Sequence, residues 1–455
     1  MDNFAGNGLE ALLAREYNKW TSPQAREAAV PLVLAYIHRT KSVASESIEF
    51  IKCLTKIATL IVKEEGVERY DPTLFHRLYE FCDEGIALLE NRRGGCDESS
   101  LRDAEFPMAR MEAHLHAYKA DAALFLYKAT NDLEWAKKGY KGYMRSAELS
   151  RVVRGQRQVD EGHELYAYSI ASEIAFKIFY ELAIKYGLPV SLKLIAGLND
   201  RNMTCDDRSN TLRFGIKDEE LAHVIKWGNR CIESKSASGD KFRSKDRVRA
   251  SLCYRDAAVV AADLFFYTEN SQYLDTVLRS FKSSLSVLGK DNFEQRHDVT
   301  SDIRNFIQGY VKLDCYFNKG LKDKARISSL RDFAAFIYYD YSDNSEHVQP
   351  GAGDLVESIS VNMNLGDLAK FVSTNSDSAF DIAKWAARAR SAYTTAIKRY
   401  DQSSAAKADM VLTTHIAYAL GFASSVSETL FSLFKNAERE RASPSKVSSE
   451  IGIAE

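Results

Sequence analysis

The sequence predicts an all-α protein built as an array of antiparallel helical hairpins. Three observations carry this. There are only 7 Pro in 455 residues, where average usage would give roughly 5%. Apolar residues return at steps of three and four almost from end to end. One stretch also recurs: Ala122-Ala123-Leu124-Phe125-Leu126-Tyr127 comes back as Ala262-Asp263-Leu264-Phe265-Phe266-Tyr267, each copy leading through a polar turn into another amphipathic segment. One hairpin cannot cover a broad apolar stripe by itself, so neighbouring hairpins must stack.

Residues 1–104 are expected to form an N-terminal helical segment. Ser22-Pro23 and Asp71-Pro72 each place a capping side chain before a Pro whose missing N–H costs nothing in a first helical turn. Residues 105–233 follow as a first repeat block. In it, Leu133, Ala136, Tyr140, Tyr143 and Ala147 line one helix face and Lys137, Lys141 and Arg145 another, which sends the first set inward. Asn131 with Glu134 has capping-box spacing. In Lys185-Tyr186-Gly187-Leu188-Pro189, Gly187 suits the left-handed residue that closes a helix and Pro189 the first turn of the next. Residues 247–437 form a second block, with Ser378 and Asp381 as another cap, and 438–455, which mix charges with Ser-Pro-Ser, read as a frayed tail. Polar interruptions are expected at 91–103, 199–210, 234–246 and 340–354, the last holding Pro350-Gly351-Ala352-Gly353, with a joint near residue 235.

Composition narrows the function classes. Sixty-one Lys and Arg against 63 Asp and Glu leave a net charge of -2, so no global field draws the chain to nucleic acid or anionic membrane. The first ten residues lack the basic start and apolar run of a signal peptide, and no apolar window approaches the ~18 residues of a membrane span. Seven Cys (53, 82, 96, 205, 231, 253 and 315) are scattered, odd in number and form no Cys-x-x-Cys pair, against a disulfide framework or zinc knuckle. Cys53, Cys253 and Cys315 fall in apolar helical patterns, as small hydrophobes do. A reducing, cytoplasmic setting is the expectation.

Candidate chemistry is sparse. His114 and His116 are two apart, so on a helix they point to different sides and cannot share a metal. Asp206-Asp207-Arg208-Ser209-Asn210 is similar to the Asp-Asp-x-x-Asp magnesium motif of helical terpenoid synthases, but its fifth position is Asn and no second motif follows; a solvated loop accounts for it. Arg92-Arg93-Gly94-Gly95 lacks the ending of a phosphate loop, and no Gly-x-Ser-x-Gly elbow occurs. No catalytic, cofactor or metal residue is therefore assigned. Two basic clusters remain: Lys137, Lys138, Lys141, Arg145, Arg151, Arg154 and Arg157, then Lys235, Lys241, Arg243, Lys245, Arg247 and Arg249 around a loop. Such runs neutralise phosphates in helical-repeat readers of RNA, or else form a solvated face.

The recurrent segment resembles the tetratricopeptide-like repeat family, whose unit is a helix-turn-helix of about 34 residues with the pattern W-x2-L-G-x2-Y, A-x3-F, P. Tyr127, Ala136 and Tyr140 keep its spacing; Ala120 stands where Trp is usual and Leu124 where Gly is usual. A second copy, Tyr267 with Val277 and Phe281, requires one extra residue in the turn, and a third keeps Tyr316 and Ala325 but has Ser329 at the last aromatic position. The terminal Pro is missing throughout. The likeness is clearest over 105–335, and Leu124 and Leu264, 140 residues apart, would span about four units of 34 to 40 residues. It implies a protein-binding scaffold with a groove. The functional expectation is a non-enzymatic interaction scaffold with protein partners and no membrane. The alternatives are nucleic-acid binding along a basic face of Lys137, Lys141, Arg145, Arg151 and Arg154, and a helical enzyme with an unrecognised pocket.

Overall fold

The computed structural model describes residues 72–94, 98–154, 161–188, 216–289, 292–317, 324–345 and 355–403, with scattered helical positions from 406 to 423. The expected corner at Ser22-Pro23, the Asp206 to Asn210 motif, Arg157, the Pro350 to Gly353 turn and the 438–455 tail lie outside the described residues. Among the described residues there is no strand. Eleven helices follow one another within the described residues: α1 (Pro72–Gly94), α2 (Glu98–Thr130), α3 (Leu133–Arg154), α4 (Glu161–Lys185), α5 (Asp218–Phe242), α6 (Arg247–Thr268), α7 (Ser271–Val287), α8 (Phe293–Phe317), α9 (Lys324–Ser345), α10 (Leu355–Thr374) and α11 (Ala379–Gln402). They fall into two compact units whose boundary lies inside α7, between Tyr273 and Leu274.

In the first unit each helix from α1 to α6 packs on the next, and the side-chain register shows that successive helices run antiparallel. Asp83 of α1 meets Lys119 of α2. Along α2, Glu112 lies 3.9 Å from Arg145 of α3, and the later Asp121 accepts from the hydroxyl of the earlier Tyr143, the reversed order of an antiparallel pair. The α2–α3 crossing is close because it is lined by small residues: a Cβ at Gly142 would sit 2.8 Å from the Ala120 Cβ and 3.0 Å from the His116 carbonyl oxygen. Aromatic rings fill the space beside that contact, as Tyr143, Tyr140 and Ala147 are buried in a core that also holds Phe179, Trp227 and Leu264.

The turns explain where the helices stop. Gly187 has φ +70 and donates to the Ile184 carbonyl while Leu188 donates to that of Ala183, the paired bonds of a Schellman close. At the α2–α3 corner the expected cap moves by one residue. Asn131 has φ 55 and closes α2, and Asp132 instead accepts from the Glu134 N–H at 3.0 Å; Asn tolerates the left-handed conformation, which frees the next residue to cap. The α6–α7 corner repeats this geometry: Glu269 has φ 53 and Asn270 accepts from the Gln272 N–H at 3.0 Å. The Thr130 and Thr268 hydroxyls donate to the Leu126 and Leu264 carbonyls at 2.6 and 2.7 Å. The two corners are thus 138 residues apart, not 140, and this register pairs Tyr143 with Phe281 and Gly142 with Ser280 without an extra residue. The hairpin that turns at the first corner, α2–α3, runs from Glu98 to Arg154, well beyond the ~34 residues of a tetratricopeptide unit.

The stretch 234–246, expected as a polar interruption, is mostly helix, for α5 continues to Phe242. Its lysines are paired with acids across the α4–α5 seam. Lys245 pairs with Glu161 at 3.0 Å, Lys241 with Glu164 at 2.5 Å, and Lys235, 1% exposed, pairs with Glu173 and with Asp256 of α6 at 2.6 Å. Burial alone would pull the Lys235 ammonium toward neutrality, but Asp256 and Glu173 outweigh it and hold its pKa above the usual lysine value. One cation therefore ties three helices.

The second unit, Leu274 onward, packs α9 on α10 and α10 on α11, with α8 reaching both α9 and α10. Arg296 of α8 donates to the Leu285 and Leu288 carbonyls at the end of α7, at 3.1 and 3.2 Å, and pairs with Asp340 of α9. Ser378 caps α11 as expected, accepting from the Asp381 N–H at 3.0 Å. The Tyr393 ring lies against Gly366, where a Cβ would come within 2.5 Å, and its hydroxyl donates to Asp367.

Candidate functional site

Three of the four Trp stand in the same tetrad, Trp followed by Ala or Gly, any residue, then Lys or Arg: Trp135-Ala136-Lys137-Lys138, Trp227-Gly228-Asn229-Arg230 and Trp385-Ala386-Ala387-Arg388. Each builds one arrangement. On a helix the cation at the third step lies beside the Trp ring, with Lys138 at 3.8 Å, Arg230 at 4.7 Å and Arg388 at 4.7 Å from the ring centroid. Each Trp meets, edge to face, a Tyr from the helix two places earlier: Tyr79, Tyr140 and Tyr338, all with centroids 5.2 Å apart. The cations also lie over those Tyr rings, at 5.5, 5.7 and 5.7 Å. The small residue after each Trp is buried; at Gly228 a Cβ would come 2.7 Å from Leu264.

These triads hold helices of like parity side by side within a unit. Edge-to-face rings and a cation over a ring face are each worth about 1 kcal/mol. Among the described residues none of the three cations has a carboxylate within ion-pair distance, so their charge is shared with π-clouds rather than neutralised. The middle triad is nearly sealed, with Trp227 and Tyr140 buried. The outer two are open: Trp135 and Tyr79 are half-buried beside exposed Lys138, and Tyr339, which also packs on Trp385 at 5.5 Å, is 40% exposed. The tetrad was visible in the sequence as a spacing of Trp to a cation, but only the fold shows that a Tyr from two helices away completes it.

The basic face read from the sequence sits on α3. Lys137, Lys141 and Arg145 do share one side of the helix. Lys137 is bonded to Glu134 at 2.6 Å, Arg145 approaches Glu148 at 3.3 Å and Glu112 at 3.9 Å, and Lys141 is exposed. Arg151 is exposed and lies by the Tyr168 hydroxyl. Arg154 ends α3, its side chain outside the described residues. Tyr140 and Tyr143 are buried and offer no face for stacking bases. The second basic cluster is largely the ion ladder of the α4–α5 seam, with Arg249 donating to the Ser169 hydroxyl at 2.7 Å.

The polar interior of α2, α3 and α4 gathers a further set of titratable groups. His114 and His116 face different ways, as their spacing requires, and both are half-buried. The His114 ring lies tilted against that of His163, centroids 4.2 Å apart; His116 lies 3.9 Å from Glu112. Burial first, then Lys119 and Arg145, lower the His116 pKa to about 4. Burial raises that of Asp121 to about 7 against the opposing hydrogen bond from Tyr143. His163 Nε2 lies 2.9 Å from the Ser146 hydroxyl, but Ser146 is fully buried, so that pair faces no substrate. Among the described residues no group of three potential ligands could hold a metal ion, and no helix is long and apolar enough to cross a membrane.

Fold and site together define an all-α helical-repeat protein whose seams are pinned by Tyr–Trp–cation triads. No known protein family matches the chain, and no curated protein matches it. Among solved structures it is similar to a "circular tandem repeat protein with novel repeat topology and enhanced subunit contact surfaces", at 14% identity and a TM-score of 0.34, over 96% of this chain and 94% of that one.

Proposed function

We propose that the protein is a non-enzymatic interaction scaffold that binds protein partners at the open triads, α1–α3 in the first unit and α9–α11 in the second. The observation that carries this is the pairing of solvent-reaching aromatic rings, half-buried Trp135 and exposed Tyr339, with Lys138 and Arg388, cations that have no carboxylate within ion-pair distance among the described residues. Aromatic side chains and Arg dominate the energetics of protein interfaces, and rigid stacked helices present them with little loss of entropy. The tetratricopeptide resemblance supports the same mode, with small and aromatic residues packed inside and a ligand on one helix layer. A cytoplasmic location fits the free Cys82, Cys231 and Cys253, all buried.

The test is quantitative affinity capture from the native cell, comparing wild type with a Lys138→Glu, Arg388→Glu double variant of unchanged helix content. A set of proteins retained by wild type and lost by the variant is expected. An identical set on both, or turnover of a small molecule by the purified chain, would overturn the proposal. Nucleic-acid binding along α3 is the second reading, supported by exposed Lys138 and Lys141; it requires affinity for an RNA oligonucleotide that falls steeply with salt.

A further inference from the structure

In the second unit, helices α7, α9 and α11 present one continuous outer face made of three ridges. On α7, Asp275, Arg279, Lys282 and Ser286 step by four, three and four. On α9, Asp332, Phe336 and Tyr339 step by four and three, and on α11, Phe380, Lys384 and Arg388 step by four, so each set lines one side of its helix. The ridges touch. The Lys282 ammonium lies 5.3 Å from the Phe336 ring centroid, and an Arg388 guanidinium nitrogen donates to the Tyr339 hydroxyl at 2.6 Å. A row of cation, ring, ring, cation therefore crosses the face.

This row is unusually open for aromatic residues. Phe336 is 48% and Phe380 75% exposed, although rings this large are normally covered. Beside Lys282 the surface dips into a hollow of about 410 Å³ lined by Leu278, Arg279 and Ser283 among others. Charge on the face is one-sided: Arg279, Lys282, Lys384 and Arg388 stand against Asp275 and Asp332, and Asp332 is already bonded by Arg331 at 3.1 Å. Among the described residues none of those four cations has a carboxylate within ion-pair distance. The ligand chemistry that complements such a face carries carboxylates on both sides of an apolar side chain.

We propose that this face docks an acidic peptide segment of a protein partner, its carboxylates pairing with Lys282 and Arg388 and a Leu or Phe side chain lying on Phe336 and Tyr339. This rests on the scaffold reading and names the partner's chemistry. The experiment is a fluorescence-anisotropy titration of the full chain with a short synthetic peptide of Glu pairs flanking Leu and Phe. Two control peptides replace every Glu by Gln or every Leu and Phe by Ala. Saturable binding is expected to weaken about tenfold or more with either control peptide, with Lys282→Gln plus Arg388→Gln, and with Phe336→Ala, and to fall as salt is raised. Failure of wild type to bind the acidic peptide, equal binding by the surface variants, or an RNA oligonucleotide bound more tightly and lost in the same variants would each overturn the inference. All substituted side chains are at the surface, so unchanged circular dichroism separates lost binding from lost folding. If protein partners are captured from cells while the peptide fails, this inference falls and the scaffold reading stands; if neither occurs, both fall.

Discussion

The α4–α5 seam and the α9–α11 seam solve the same packing problem with opposite treatments of charge. In the first, Lys245, Lys241 and Lys235 are each matched by an acid on the facing helix, and the innermost is sealed from water. In the second, Arg388 lies on Trp385, Tyr338 and Tyr339 and keeps its charge unspent by any described carboxylate. A run of basic residues in the sequence is thus no guide to basic surface. What matters is whether the next helix carries acids at the complementary steps, and that is decided by stacking.

The strongest way to break the contrast is Lys235→Ala. It removes the buried stem of Lys235 and the cation shared by Asp256, 31% exposed, and Glu173, 60% exposed, and should destabilise the first unit by about 2 to 3 kcal/mol through lost packing and charge-assisted hydrogen bonds, read from urea unfolding by circular dichroism; Lys235→Met, which fills the space, should lose distinctly less. Gly142→Ala comes next. It forces a methyl onto Ala120 and the His116 carbonyl, and overpacking of that kind costs about 2 kcal/mol. Arg388→Ala, by contrast, should lower stability by only about 1 kcal/mol, the value of a cation over aromatic rings, because no described carboxylate loses its partner. An equal loss for Arg388→Ala and Lys235→Ala would erase the distinction between the seams.

A pH series sharpens the picture inside the first unit. Asp121 is raised to about 7 in the fold, so the folded state holds its proton more tightly than the unfolded chain does. Its stabilisation is complete below the unfolded value near ~4 and is lost as pH rises through 7. His116, lowered to about 4, acts with the opposite sign: its contribution is present above the unfolded value near ~6.5 and is lost as pH falls toward 4. The two partly cancel in wild type. Asp121→Asn should therefore remove the fall in thermal midpoint as pH rises from about 4 to 7, leaving the His116 loss on acidification uncovered, and His116→Gln should remove that acid-side loss. The smallest effect belongs to Lys245→Ala, whose pair with Glu161 is exposed and should matter by less than about 0.5 kcal/mol.

Helix content, the inward face of Leu133 to Ala147, the Gly187 close and the Ser378 cap were legible because each is a local property of a few neighbouring residues. The corner at Asn131 was legible only to within one residue, since Asn and Asp both cap and both tolerate positive φ. The repeat was visible but misaligned, because matching Leu124 to Leu264 follows apolar similarity, whereas the two corners are aligned by Thr130 and Thr268, whose roles are hydrogen bonds. The ion ladder was misread as a basic loop because Glu161, Glu164 and Glu173 are some sixty to eighty residues away in the chain from their partners. The tetrad of Trp, small residue, spacer and cation was in plain view; its meaning required a Tyr that only stacking supplies.

The edge-to-face contacts of Trp135, Trp227 and Trp385 have a spectroscopic corollary. Each indole is seated at the join of two like-parity helices beside a phenol and a positive charge, surroundings that tune its emission and change when that join opens. Replacing Trp20 and two of the three by Phe leaves a chain that reports optically on a single join, so that the order in which the stack comes apart can be followed without attaching a dye.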